Sequence, residues 1–187
     1  LLRVICDSGS VAVPAYNCIA VPEAVEKAQC RPVFADIDLT SVNMSCDTLI
    51  KSLTDDTRAV ILTHQFGIPP IIEPIIELCH KKGLFVLEDA AAALGAKYKG
   101  RLVGTFGDAS VVSFQLTKIV TAGHGGALLT NDDDIAYKVS LLQAKDADFS
   151  RNIVDFIRAF FWQMATQPHY YNLLRKMRSV IRKDQLH

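Results

Sequence analysis

No charge of one sign dominates this sequence: lysine and arginine number 20, aspartate and glutamate 20, and the formal net charge is zero. No long block of like charge precedes the C-terminal region either, which argues against nucleic acid as a partner and favours small molecules. No apolar run reaches the roughly 18 residues of a spanning helix, and no signal peptide opens the chain. The five cysteines, Cys6, Cys18, Cys30, Cys46 and Cys79, include no Cys-x-x-Cys pair. Neither a disulfide framework nor a zinc site is therefore expected, and a reducing cytoplasm is the simplest compartment. No internal repeat and no low-complexity tract is visible. There is no initiating methionine, and "LLRVICDSGS" reads like the end of a helix followed by a turn, so the chain is expected to be a piece of something longer.

What is present is a globular core. Half of the 187 residues are hydrophobic, enough for one ordinary domain. Short β-branched runs alternate with segments of helical period, the pattern of parallel strands joined by crossover helices. "VAVPA", "PVFADID", "AVILTHQ", "LFVLEDA", "ASVVSFQ" and "GALLTND" read as strands. "EAVEKAQC", "SCDTLIKSL" and "IIEPIIELCHKKG" read as helices, the second opened by a capping serine or aspartate and the third closed by lysines and Gly83. The strands lack clean in/out alternation, so both faces of the sheet are expected to be covered. The fold class is thus a three-layer α/β/α sandwich with a mostly parallel sheet over residues 1–148, followed by a helical extension over 149–187. In that extension Arg175, Lys176, Arg178, Arg182 and Lys183 could face a membrane surface. Packing on a further domain is the favoured reading.

Ligands of such sheets collect at the carboxyl ends of the strands. Asp89 falls there, and so does Ser113; Lys118 follows between an apolar strand and a cluster of glycines, "TAGHGG". Each alone is ordinary. Together they match what pyridoxal phosphate asks of a protein: an amine for the aldehyde, a carboxylate for the ring nitrogen, and donors for the phosphate. Lysine is a poor nucleophile at its free pKa near 10.4, so the amine must be desolvated or crowded by charge. Other chemistries fare worse. "GHGG" precedes a strand and not a helix, which rules out a dinucleotide fingerprint. His64, Cys79 and His80 lack metal spacing; His80 reads as a helix C-terminal residue, and His64, at a strand end, as a residue that helps to shape the pocket.

The stretch "VLEDAAAALGAKYKGRLVGTFGDASVVSFQLTKIVTAGHGGALLTND" resembles the centre of the DegT/DnrJ/StrS-type sugar aminotransferases, fold-type I pyridoxal phosphate enzymes. "VAVPAYNCIAVPEAVEKAQCRPVFADID" and "AVILTHQFGIP" resemble further segments of that family, so the likeness runs from about Val11 to Lys145. The resemblance implies that Lys118 is the Schiff-base lysine, Asp89 the ring-nitrogen partner and Ser113 a phosphate contact, with Ala91 packed on one face of the ring. It implies a homodimer that transfers an amino group, usually from glutamate, to a nucleotide-linked keto-sugar. It also places Ala92 where the family usually has Gln or His near the phenolic oxygen. Cys18 stands where an aromatic often stacks, and His124 where an acid is common. A sugar dehydratase of the same fold is a second reading, against which Lys118 counts because those relatives typically carry histidine there. A non-catalytic remnant is a third. "DSGS", Asp7 to Ser10, is not the family's Ser-Gly-Thr phosphate loop, because it runs straight into a strand; that loop is expected before Leu1, and the small C-terminal domain after His187.

Overall fold

The computed structural model describes residues 1–6 and 8–145, together with positions 154, 157, 160 and 161. The chain begins with a short helix, α1 (Leu2–Ile5), and then alternates: β1 (Ser10–Pro14), α2 (Ala20–Lys27), β2 (Arg31–Ala35), α3 (Cys46–Ser52) and β3 (Thr57–Thr63). A single 3₁₀ turn, Gln65–Gly67, precedes α4 (Ile72–Lys81) and β4 (Phe85–Asp89). A hairpin of two-residue strands follows, β5 (Lys97–Tyr98) and β6 (Arg101–Leu102), and then β7 (Ala109–Ser113), β8 (Gly126–Thr130) and α5 (Asp133–Lys145). The six long strands form one sheet in the order β2-β1-β3-β4-β7-β8. Every neighbouring pair is parallel except β7 and β8.

The sequence dictates these elements locally. Ser45 caps α3 by accepting from the Thr48 N–H, while the Thr48 hydroxyl accepts from the Ser45 N–H, a reciprocal pair that satisfies two otherwise orphaned donors. Gly83, with φ of 66°, ends the turn after α4 in the left-handed region that a side chain disfavours. β1 is buried along its whole length and β3 at every residue but Arg58. One side of the sheet packs Val11, Val13, Ala59, Ile61 and Leu87 against Leu2 and Cys6 at the N-terminus and Val25 and Ala28 around α2. The alternate residues Ala12, Val60, Leu62 and Val86 are equally buried on the other side, where α3 supplies Leu49 and α4 supplies Ile72, Ile75 and Cys79. Burial of the Cys79 thiol pushes its pKa up to about 12, so it sits in this layer as an inert apolar group.

The expected three-layer sandwich with a mostly parallel sheet is therefore present. Its strands are shorter than the sequence suggested. β2 stops at Ala35 because Asp38 turns back on its own chain, its Oδ1 accepting from the Thr40 and Ser41 N–H groups. β7 stops at Ser113, two residues before Gln115. The sheet and its helices make one compact unit, to which the segment between β7 and β8, residues 114–125, does not belong. The extension expected over 149–187 lies outside the described residues, apart from four positions. No helix among the described residues is long and apolar enough to cross a membrane.

Where β8 starts, Gly126 pairs with Ser113. A Cβ there would stand 2.4 Å from the Val112 carbonyl oxygen, which is backbone and has nowhere to go. Gly126→Ala is expected to destabilise the fold by about 1–3 kcal/mol, the usual cost of overpacking, read as a lower midpoint in urea unfolding with an unchanged slope.

Candidate active site

Asp89 is the last residue of β4, in a central strand whose neighbours β3 and β7 fix its position from both sides. Its carbonyl accepts from the His64 N–H at 3.1 Å, and the following amide, Ala90 N–H, donates to the Val111 carbonyl at 2.9 Å. The peptide units around the carboxylate are thus fixed, and the residue is only 8% exposed. Oδ1 accepts from the Ala91 N–H at 3.0 Å. Oδ2 accepts no hydrogen bond from the described residues, and no described cation pairs with the carboxylate. A nearly buried carboxylate with one oxygen open is suited to a charge-assisted bond from a ligand N–H. Four alanines, Ala90 to Ala93, follow it, with Ala91 half-buried and Ala92 exposed, so small side chains border the carboxylate. Ala92 itself offers no polar side-chain atom.

Ser113 ends the adjacent strand β7 at the same, carboxyl, edge, and is half-buried. Cys18 is an exposed free thiol in the loop after β1, its N–H donating to the Asn17 Oδ1 at 2.7 Å. Asn17 in turn donates from Nδ2 to the Thr63 hydroxyl at the end of β3, at 2.8 Å. The structure therefore brings the ends of β1, β3, β4 and β7 to one rim.

The segment 114–125 has an internal order of its own. Phe114 N–H donates to the Gly125 carbonyl and Ala122 N–H to the Phe114 carbonyl, each at 2.9 Å. Gln115 and Gly123 form a bridge, and the Lys118 N–H donates to the Gln115 carbonyl at 2.9 Å. Gly123 and Gly125 adopt φ of 91° and 99°, which explains the glycines that follow the lysine. Lys118 is half-buried and His124 exposed.

His64 and Glu88 form a pair whose strength the sequence did not reveal. Both side chains are fully buried, and His64 Nε2 lies 2.9 Å from Glu88 Oε2. The Glu88 carboxylate also accepts from the N–H groups of Gly104 (2.8 Å), Gly107 (2.7 Å) and Phe106. Burial alone would raise its pKa, but the His64 hydrogen bond and the Gly107 and Gly104 amides outweigh that and hold it below the ordinary glutamate value. The turn these amides belong to is tied to β4 a second time. Asp108 accepts from the Val86 N–H at 2.7 Å and donates its own N–H to the Val86 carbonyl at 2.9 Å. His64 thus lies beneath the rim, fixed through Glu88, and holds Asp89 by its backbone.

The sequence profile of the DegT/DnrJ/EryC1/StrS aminotransferase family matches residues 3–178. A GDP-perosamine synthase from Escherichia coli is 41% identical over 128 residues, covering 68% of this chain and 35% of that protein. A dTDP-4-dehydro-2,6-dideoxy-D-glucose 3-dehydratase from Saccharopolyspora spinosa is 38% identical over 112 residues, covering 60% of this chain and 24% of that one. Among solved structures, DesI in the presence of its TDP-sugar product superposes with a TM-score of 0.73 at 35% identity, covering 80% of this chain and 38% of DesI. The chain spans about a third of the length of the curated relatives it matches.

Proposed function

This chain belongs to the DegT/DnrJ/EryC1/StrS aminotransferase family, and from that premise we propose that it forms the cofactor-binding part of a pyridoxal phosphate-dependent aminotransferase acting on a nucleotide-linked keto-sugar, with glutamate as donor. The fold is that of the family's aminotransferases, and the family depends on pyridoxal phosphate. The observation that carries the reading is Asp89: a nearly buried carboxylate at a parallel strand end, one oxygen engaged by the Ala91 N–H and the other open. That open oxygen fits a pyridinium N–H. Ala91 offers a methyl group to the ring face, and Ser113 a hydroxyl to the phosphate. When bound, the cofactor supplies an electron sink for the carbanion left when a Cα–H bond breaks.

The chain's own groups do the rest. Asp89 would keep the ring nitrogen protonated, and the Lys118 Nζ would hold the cofactor covalently and, once released by the donor amine, would move the proton from the donor Cα to the cofactor. The dehydratase among the relatives favours a second reading, loss of a hydroxyl in place of gain of an amine. Lys118 speaks for transfer, since the dehydratases of this fold typically have a histidine there. The complete enzyme is proposed to be a homodimer, as the resemblance implies, and to work in a reducing cytoplasm, as the cysteine pattern suggests.

The test is absorbance of the chain mixed with pyridoxal phosphate, followed by borohydride reduction and peptide mapping. A visible band with the label on Lys118 supports the reading; label scattered over surface lysines sinks it. Asp89→Asn is expected to retain the fold and weaken cofactor binding about tenfold or more, the worth of a hydrogen bond to a charged group. An affinity equal to that of the parent would remove Asp89 from the role.

A further inference from the structure

Between β3 and α4 the chain makes a strained turn. Phe66 adopts φ of 53° and ψ of 20°, the left-handed region that a bulky residue seldom enters, yet the residue is 69% exposed. Its neighbour Gly67 takes φ of 82°, where glycine is at home. The strain is held from below by Asn43, which is fully buried: Oδ1 accepts from the Gln65 N–H at 3.2 Å and Nδ2 donates to the Ile68 carbonyl at 3.1 Å. From the side, Gln65 Nε2 donates to the Tyr16 carbonyl in the loop after β1. Tyr16 is itself 51% exposed, with its ring centroid 6.2 Å from that of Phe66. Two large rings are therefore held toward solvent on a braced backbone. Strain of this kind persists where the surroundings impose it, and it concentrates at ligand sites.

The turn also touches the Asp89 segment. A Cβ on Gly67 would stand 3.0 Å from the Ala92 carbonyl oxygen, three residues beyond Asp89, and the His64 N–H that opens the turn holds the Asp89 carbonyl. We propose that Phe66, propped by Tyr16, is a stacking platform for the nucleobase of the nucleotide-linked substrate. The proposal rests on the nucleotide-sugar reading above and adds to it the place where the base sits. Every nucleobase has a π-face, so a bare aromatic platform takes purines and pyrimidines alike, and discrimination between them falls to other residues.

The probes are GDP and dTDP, with inorganic pyrophosphate as a base-free control, titrated calorimetrically into the full chain. Phe66→Gly removes the ring while suiting the left-handed backbone, so the variant should melt no lower than the parent. Tyr16→Ala removes the prop. Each change is expected to weaken GDP and dTDP about tenfold or more and to leave pyrophosphate affinity and the Lys118 adduct unchanged. Parent-like GDP and dTDP affinities in both variants overturn the platform, as does a parent chain that binds neither nucleotide. So does a shift from dimer to monomer on sedimentation with nucleotide affinity unaltered, which would make the rings a contact with a second copy. An adduct on Lys118 with ring-independent nucleotide binding defeats the platform alone. Ring-dependent nucleotide binding without an adduct defeats the cofactor assignment alone.

Discussion

Lys118→Ala is expected to remove the visible band formed with pyridoxal phosphate and to lower any amino-transfer rate by about 10²–10⁴, the usual contribution of a positioned proton-transfer group. The loss should exceed that of Asp89→Asn, because in the proposed role one nitrogen both anchors the cofactor and carries the proton. The alanine variant should still fold: the loop holds itself through Phe114, Gln115, Ala122 and Gly123, and only the lysine's backbone N–H takes part in that set. Circular dichroism matching the parent, combined with loss of the band, separates chemistry from collapse. Survival of the band with the label moved to another lysine would show that Lys118 is not the anchor.

Glu88→Ala is expected to cost about 2–5 kcal/mol of stability, because each buried donor left without its acceptor costs about 1–3 kcal/mol. The change strips the acceptor from three backbone amides and from His64 at once, in a site whose paired side chains are fully buried. Urea unfolding should show it as a large fall in midpoint. Glu88→Gln keeps the shape but turns an NH₂ group toward N–H donors, so it too should destabilise, by roughly 1–3 kcal/mol. The same carboxylate predicts the acid behaviour of the fold. Its pKa lies below its ordinary value in the folded chain, so its contribution is fully present above about 4.3, the unfolded value, and is lost as pH falls through the lower folded one. The parent should therefore lose stability steeply below that point and Glu88→Gln less steeply. Parallel pH profiles would show that Glu88 is not the source.

Much of the frame was legible because a parallel sheet buried on both faces leaves near-continuous runs of Val, Ile and Ala in the sequence, as in "AVILT" and "FVLED". The end of each run gave the rim, and with it Asp89 and Ser113. Other features left no local trace. The β5–β6 hairpin has two-residue strands, too short for any period to show. "ED" at a strand end announces two carboxylates on opposite faces, but which is the clamp and which is open depends on amides 16 to 19 residues further on. His64 read as a pocket residue because its partner lies 24 positions away. The left-handed Phe66 was invisible for a different reason. Nothing in the identity of a phenylalanine announces a backbone that most phenylalanines avoid.

The reversal of direction between β7 and β8 has an evolutionary consequence. In a run of parallel strands, a connecting segment must travel from one end of the sheet to the other, so its length is constrained by the distance it spans. Residues 114–125 join two antiparallel neighbours, and Ser113 opposite Gly126 brings both of their anchor points to a single end. Insertions and deletions can then accumulate there without shifting the register of any strand. A lineage could lengthen, shorten or reshape the span that carries Lys118 while inheriting the register of β7 and β8 unchanged.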